Sequence, residues 1–168
     1  MSNERIVVVG LGYVGLPLAI ALPPKFEVIG LDRDCQRVAE LREGKDRTRE
    51  VGEKELKASS LRLTDNAEEC GVGDVYIVTV PTPVDAQNRP DLGAVLSATG
   101  TIAGLIDPHR RPTIIYESTV YPGLTEDMCG PEIERLTGFK RAGDFRLGYS
   151  PERINRGDRE HTVDRDVR

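Results

Sequence analysis

Residues 5–32 read RIVVVGLGYVGLPLAIALPPKFEVIGLD, and the order of residue types in this stretch decides the fold. Ile6 to Val9 is an unbroken apolar run, the composition of a strand covered on both faces. Gly10, Gly12 and Gly15 follow in the spacing G-x-G-x-x-G, and Tyr13 to Leu22 has helical composition. A second apolar run, Phe26 to Leu31, ends on Asp32, 22 residues after Gly10. A strand, a glycine turn, a helix, a second strand and a closing carboxylate are the parts of a dinucleotide-binding unit.

Each part has a physical task. Gly10 permits the tight turn out of the strand, Gly12 leaves room for a pyrophosphate, and Gly15 lets the helix pack close to the sheet. The first-turn N–H groups, reached through Tyr13 and Val14, lack intrahelical partners and sit at the positive end of the helix dipole, where phosphates bind. Asp32 is placed to accept hydrogen bonds from the adenosine ribose hydroxyls. A carboxylate there repels a 2′-phosphate, which favours NAD over NADP; Arg33 and Arg37 temper that preference.

The chain has 168 residues, enough for one domain with a real core. With 23 basic against 28 acidic side chains its net charge is −5, and no basic stripe marks a nucleic-acid or anionic-membrane partner. No apolar run approaches the ~18 residues of a membrane span, and the first residues do not form a signal peptide, so a cytoplasmic protein is expected. Cys35, Cys70 and Cys129 are widely spaced and form no C-x-x-C or Cys/His cluster. Neither a disulfide framework nor a metal site is indicated, and the three thiols read as structural or incidental.

Beyond Asp32, strands and helices alternate. Helices are expected over Cys35–Glu43, Glu53–Ala58, Thr125–Leu136 and, capped by Asp91, up to Ile106. Leu61–Leu63, Asp74–Val80, Pro112–Tyr116 and Phe145–Tyr149 read as further strands, and the charged segment 44–52 as a turn. Right-handed crossovers then give an α/β fold: a Rossmann-type, doubly wound parallel sheet of six strands in the order 3-2-1-4-5-6, with helices on both faces. Three strand ends carry polar tips, at Pro81-Thr82, Ser118-Thr119 and Pro151-Glu152. They are expected to converge on the rim where the glycine turn opens.

GLGYVGLPLA, VPTPVD, YESTVYPG and GYSPERINRGD, in this order, resemble the UDP-glucose/GDP-mannose dehydrogenase family, and within it the UDP-N-acetylhexosamine 6-dehydrogenases of surface-polysaccharide synthesis. The resemblance implies oxidation of a sugar C6 hydroxymethyl to a carboxylate by two hydride transfers to NAD. It also implies that Gly10 to Gly15, Asp32 and Arg37 bind NAD, with Thr82 and Thr119 at the ribose and nicotinamide. Thr119 would lie near the reacting carbon, Glu152 would serve as acid/base, and Arg153 and Asn155 would face the UDP-sugar. Arg156 stands where UDP-glucose enzymes tend to carry a glutamate, which favours an N-acetylhexosamine over glucose.

The family's nucleophilic cysteine belongs to later domains, and none of the three cysteines here falls in its motif. The expectation is an NAD-binding domain at 1–150, with 151–168 leading toward substrate domains. Such a piece would be inactive alone and part of a homodimer or higher assembly when whole. A stand-alone NAD-sensing module and a UDP-glucose 6-dehydrogenase are the competing readings.

Overall fold

The computed structural model describes residues 4–22, 24–118 and 123–150. Six strands, β1 (Arg5–Val9), β2 (Glu27–Leu31), β3 (Arg62–Thr64), β4 (Val75–Val78), β5 (Thr113–Tyr116) and β6 (Arg146–Tyr149), form one sheet. Their order is β3-β2-β1-β4-β5-β6 and every pairing is parallel, as expected from the alternation of strand and helix. The helices are α1 (Gly15–Ala21), α2 (Cys35–Arg42), α3 (Glu53–Ala58), α4 (Gly93–Ala103) and α5 (Gly130–Thr137).

Alternation along β1 divides the core. Ile6 and Val8 join Leu16 and Ala19 of α1, Leu41 of α2 and Leu56 of α3 on one face. Val7 and Val9 join Val95, Ala98 and Ile102 of α4 and Ile133 of α5 on the other. A sheet buried on both sides explains why its central strands are continuous apolar runs instead of alternating ones.

Several boundaries differ from expectation for local reasons. Helix α1 stops at Ala21, and Leu22 is already extended (φ −63°, ψ 133°), the conformation that a following proline favours. Helix α4 begins at Gly93 and ends at Ala103, short of Ile106; Asp91 precedes it and accepts the Gly93 N–H at 2.8 Å. The helix expected from Thr125 opens with a π-helical turn, Thr125–Cys129, before continuing as α5. Gly138 then closes it in the left-handed region at φ 76°.

The register sets the strand ends flush. Val9 lies opposite both Leu31 and Val78, and Leu31 opposite Thr64, so Gly10, Asp32, Thr79 and Asp65 share one rim. Tyr116 lies opposite Val78 and Tyr149, which brings Glu117 and Ser150 to the same rim.

Candidate functional site

A crevice of about 340 Å³ opens at the carboxyl rim of β1, β2 and β4. Gly10, Leu11 and Gly12 form its floor. Asp32, Arg33 and Asp34 lie on one side and Thr79, Val80 and Pro81 on the other, with Ser97 and Thr101 of α4 above. Strand order reverses between β1 and β4, and ligands bind at that switch point in open α/β sheets.

Gly10 and Gly15 serve the turn and its packing as the sequence implies. Gly10 has φ +97°, and a Cβ there would stand 3.0 Å from Val80 Cγ1. At Gly15 a Cβ would collide with Gly10 O at 1.8 Å, so this glycine is demanded by the packing of α1 on the turn. A Cβ on Gly12 would meet nothing within 4 Å. Its glycine is therefore not needed by the fold, and the open space beside it belongs to the crevice.

Leu11, between them, is held at three points. Its N–H donates to Asp32 Oδ2 at 2.8 Å, its C=O accepts from Arg37 Nε at 2.9 Å, and its side chain fills the space over Gly30 of β2. A Cβ on Gly30 would lie 2.9 Å from Leu11 Cδ2. Asp32 also accepts the Asp34 N–H through Oδ1 at 3.0 Å, so backbone donors orient both of its oxygens. Each carboxylate oxygen retains a further lone pair for a ribose hydroxyl. Asp34 caps α2 by accepting from the Gln36 and Arg37 N–H groups. The Arg37 N–H, together with Arg47, holds the Asp34 carboxyl below its ordinary range against the opposing effect of burial.

Arg37, expected to bind NAD, packs against the glycine turn from outside the crevice. The side chain is 5% exposed, lies outside the crevice lining, and its Nη2 is 2.8 Å from Asp46 Oδ1 in a buried ion pair. Its guanidinium is thus directed at the protein's own turn and loop. Thr82 is half-buried, Tyr13 exposed and Val14 half-buried; none of the three lines the crevice, although Tyr13 and Thr82 directly follow Gly12 and Pro81, which do. Ser118, expected to present a hydroxyl at the rim, donates it to Val80 O at 2.8 Å and is 2% exposed. That bond ties the exit of β5 to the exit of β4. Thr119, Glu152, Arg153 and Asn155 lie outside the described residues.

Thr79 is a site residue that the sequence reading passed over. Its Oγ1 lies 2.7 Å from Gly10 O and 3.2 Å from Val9 O, fastening the glycine turn to β4. Within an apolar run a threonine reads as one more β-branched strand residue, and only the register shows which carbonyls it meets. Among the described residues no cluster of His, Cys, Asp or Glu has the makings of a metal site.

The family model for the NAD binding domain of UDP-glucose/GDP-mannose dehydrogenases matches residues 4–167. This chain belongs to that family. NAD is the cofactor of such a domain, and the residues fit it: an uncrowded glycine beside a crevice, a helix start with no side-chain cap, and an oriented carboxylate at the end of β2. The chain is 48% identical to the UDP-N-acetyl-D-glucosamine 6-dehydrogenase of Pseudomonas aeruginosa, over 97% of its own length and 38% of that protein's.

Among solved structures of the family, the UDP-D-ManNAc dehydrogenase of Pyrococcus horikoshii superposes with a TM-score of 0.80 at 32% identity, covering 92% of this chain and 37% of that one. The ternary complex of GDP-mannose dehydrogenase from Pseudomonas aeruginosa also gives a TM-score of 0.80, at 30% identity, covering 91% and 37%. The chain thus spans under two-fifths of the length of the family members it matches.

Proposed function

We propose that this domain holds NAD for a nucleotide-sugar 6-dehydrogenase that oxidises the C6 hydroxymethyl of a UDP-N-acetylhexosamine to a carboxylate. The observation that carries the reading is the pairing, in one crevice, of the open side of Gly12 with the anchored carboxylate of Asp32. Gly12 and the start of α1 receive the diphosphate, and Asp32 receives the adenosine ribose. A 2′-phosphate would meet the repulsion of the Asp32 charge; of the two arginines that temper it, Arg37 is already paired with Asp46 and only Arg33 lies in the crevice lining. NAD is therefore preferred to NADP.

When bound, the nicotinamide supplies a hydride acceptor, and two successive transfers take the alcohol to the acid. By likeness to the family, Thr82 and Thr119 lie along the ribose and nicotinamide, Glu152 handles protons, and Arg153 and Asn155 face the UDP-sugar. The choice of sugar follows the named activities of the relatives. The nucleophilic cysteine is assigned outside Cys35, Cys70 and Cys129. In support, Cys70 and Cys129 are buried and Cys35 opens α2 on the surface. Residues 1–150 form the cofactor domain and 151–168 the way out of it, toward substrate domains. The assembly is a homodimer or larger. No helix among the described residues is long and apolar enough to cross a membrane, which supports a cytoplasmic enzyme.

Calorimetric titration of the chain with NAD and NADP tests the cofactor site, with NAD expected to bind more tightly. The full-length protein, assayed with UDP-N-acetylglucosamine, UDP-N-acetylmannosamine and UDP-glucose, tests the substrate. Reduction of NAD only with UDP-glucose would overturn the sugar assignment.

A further inference from the structure

Segment 44–52 has no place in the dinucleotide-binding pattern, yet it contains a deeply buried carboxylate. The Asp46 side chain is 1% exposed. Its Oδ1 accepts from the Thr48 N–H at 3.0 Å and the Thr48 hydroxyl at 2.7 Å, while Oδ2 accepts from the N–H groups of Glu50 and Val51 at 2.9 and 3.0 Å. The remaining partner is Arg37, whose Nη2 lies 2.8 Å from Oδ1. The contact is an ion pair by proximity: both Nη1 and Nη2 of the guanidinium are buried without a well-aligned hydrogen bond among the described residues, and Nε alone makes one. Fixed by its own loop, Asp46 is the anchor of the pair and Arg37 the arm.

A buried ion pair alone says little, because an apolar pair of the same volume often serves stability as well. Here the arm reaches a functional peptide. A guanidinium is planar and rigid, so a carboxylate that draws its Nη2 edge to 2.8 Å also biases the direction of Nε. Arg37 Nε donates to Leu11 O at 2.9 Å. The Leu11 carbonyl and the Gly12 N–H belong to one trans peptide plane and point in opposite directions. Holding the carbonyl toward Arg37 therefore aims the Gly12 N–H away from it, and Gly12 lines the crevice while Arg37 does not.

We infer that Asp46 is a positioning residue for the cofactor, acting through Arg37 on the Leu11–Gly12 peptide. The inference rests on reading the crevice as the NAD site. Asp46 itself touches no ligand. Its effect is to hold one peptide in the orientation that a diphosphate needs, so that little reorganisation is left for the moment of binding.

The test compares wild type, Asp46→Asn, Arg37→Lys and the double variant. NAD affinity is measured by calorimetry, folding by circular dichroism and thermal melting, and the Gly12 amide by ¹⁵N-edited NMR. Asp46→Asn is expected to stay folded, to weaken NAD binding about tenfold, equivalent to about 1.4 kcal/mol, and to shift the Gly12 amide resonance in the free protein. Arg37→Lys leaves a cation for Asp46 that cannot also hold Leu11 O, and is expected to weaken binding to a similar degree. The double variant is expected to lose no more than the weaker single variant, because both substitutions break the same chain of contacts.

Affinity within twofold of wild type in folded Asp46→Asn, an unmoved Gly12 amide, or additive losses in the double variant would each overturn the inference. If Asp46→Asn does not fold, Arg37→Lys decides: near-wild-type affinity overturns the inference, and the expected loss supports it. A wild-type chain that fails to bind NAD would instead overturn the reading of the crevice and the inference with it.

Discussion

The backbone N–H of Leu11 donates to Asp32 Oδ2 at 2.8 Å, joining the middle of the glycine turn to the acid that closes β2. One carboxylate thus braces the glycine turn and lines the crevice beside it. Replacing Asp32 should disturb both at once. Asp32→Ala is expected to reduce NAD affinity by one to two orders of magnitude, since a hydrogen bond to a charged group contributes about 1.5–3 kcal/mol. Calorimetry with NAD and NADP checks this, and the variant should also lose most of the preference for NAD.

Gly12 and Gly15 should respond oppositely to the same substitution. Gly12→Ala adds a Cβ into open space and is expected to leave the melting temperature nearly unchanged while weakening NAD binding. Gly15→Ala drives a Cβ into Gly10 O and should destabilise the fold by about 3 kcal/mol or more. Thermal melts and titrations of the two variants, side by side, test the assignment of Gly12 to the ligand and of Gly15 to packing.

Thr79→Val removes the hydroxyl that fastens Gly10 O while keeping the β-branched shape. The expected cost is about 1–2 kcal/mol of stability, with weaker NAD binding because the turn loses its tie to β4. Denaturant unfolding and calorimetry on the same sample measure the two effects together.

Asp46 should leave a signature in the pH dependence of stability. Burial pushes its carboxyl up, but the Thr48 hydroxyl, the Val51 N–H and Arg37 outweigh it and hold the carboxyl below its ordinary value of 3.8. The folded state therefore binds that proton less readily than the unfolded chain. The resulting stabilisation is fully present above pH 3.8 and is lost as pH falls below that value. The stability gap between wild type and Asp46→Asn, measured by urea unfolding, should be wide at pH 7 and should narrow below about pH 4.

The cysteines should differ in reactivity. Cys35 is exposed, whereas Cys70 and Cys129 are buried. Burial pushes the Cys70 thiol up to about 11 and also raises that of Cys129, which lies by the buried Thr99–Tyr116 hydroxyl pair. A thiol reagent at neutral pH is expected to titrate one cysteine of the native protein quickly and the other two only after denaturation.

Much of this molecule was legible without coordinates. Apolar runs of strand length alternating with helical segments dictated a parallel sheet, because right-handed crossovers leave few other arrangements. The spacing of Gly10, Gly12 and Gly15 and the position of Asp32 are local features, and a local pattern survives in a linear string. Asp46 left no signature beyond its place in the charged turn 44–52. A charged turn says nothing of which side chain holds it together, nor of Arg37.

The tertiary structure decided the rest. The chain alone made Arg37 a candidate cofactor ligand, Ser118 a free rim hydroxyl and Thr79 an unremarked strand residue. Folding turned Arg37 toward Asp46 and Leu11, Ser118 toward Val80, and Thr79 toward Gly10. The reason is physical. A residue's periodicity and propensity depend on neighbours within a turn or a pleat. The partner of a buried charge or hydroxyl depends on register between strands far apart in sequence, and the cost of burying a polar group unpaired favours the register that supplies one.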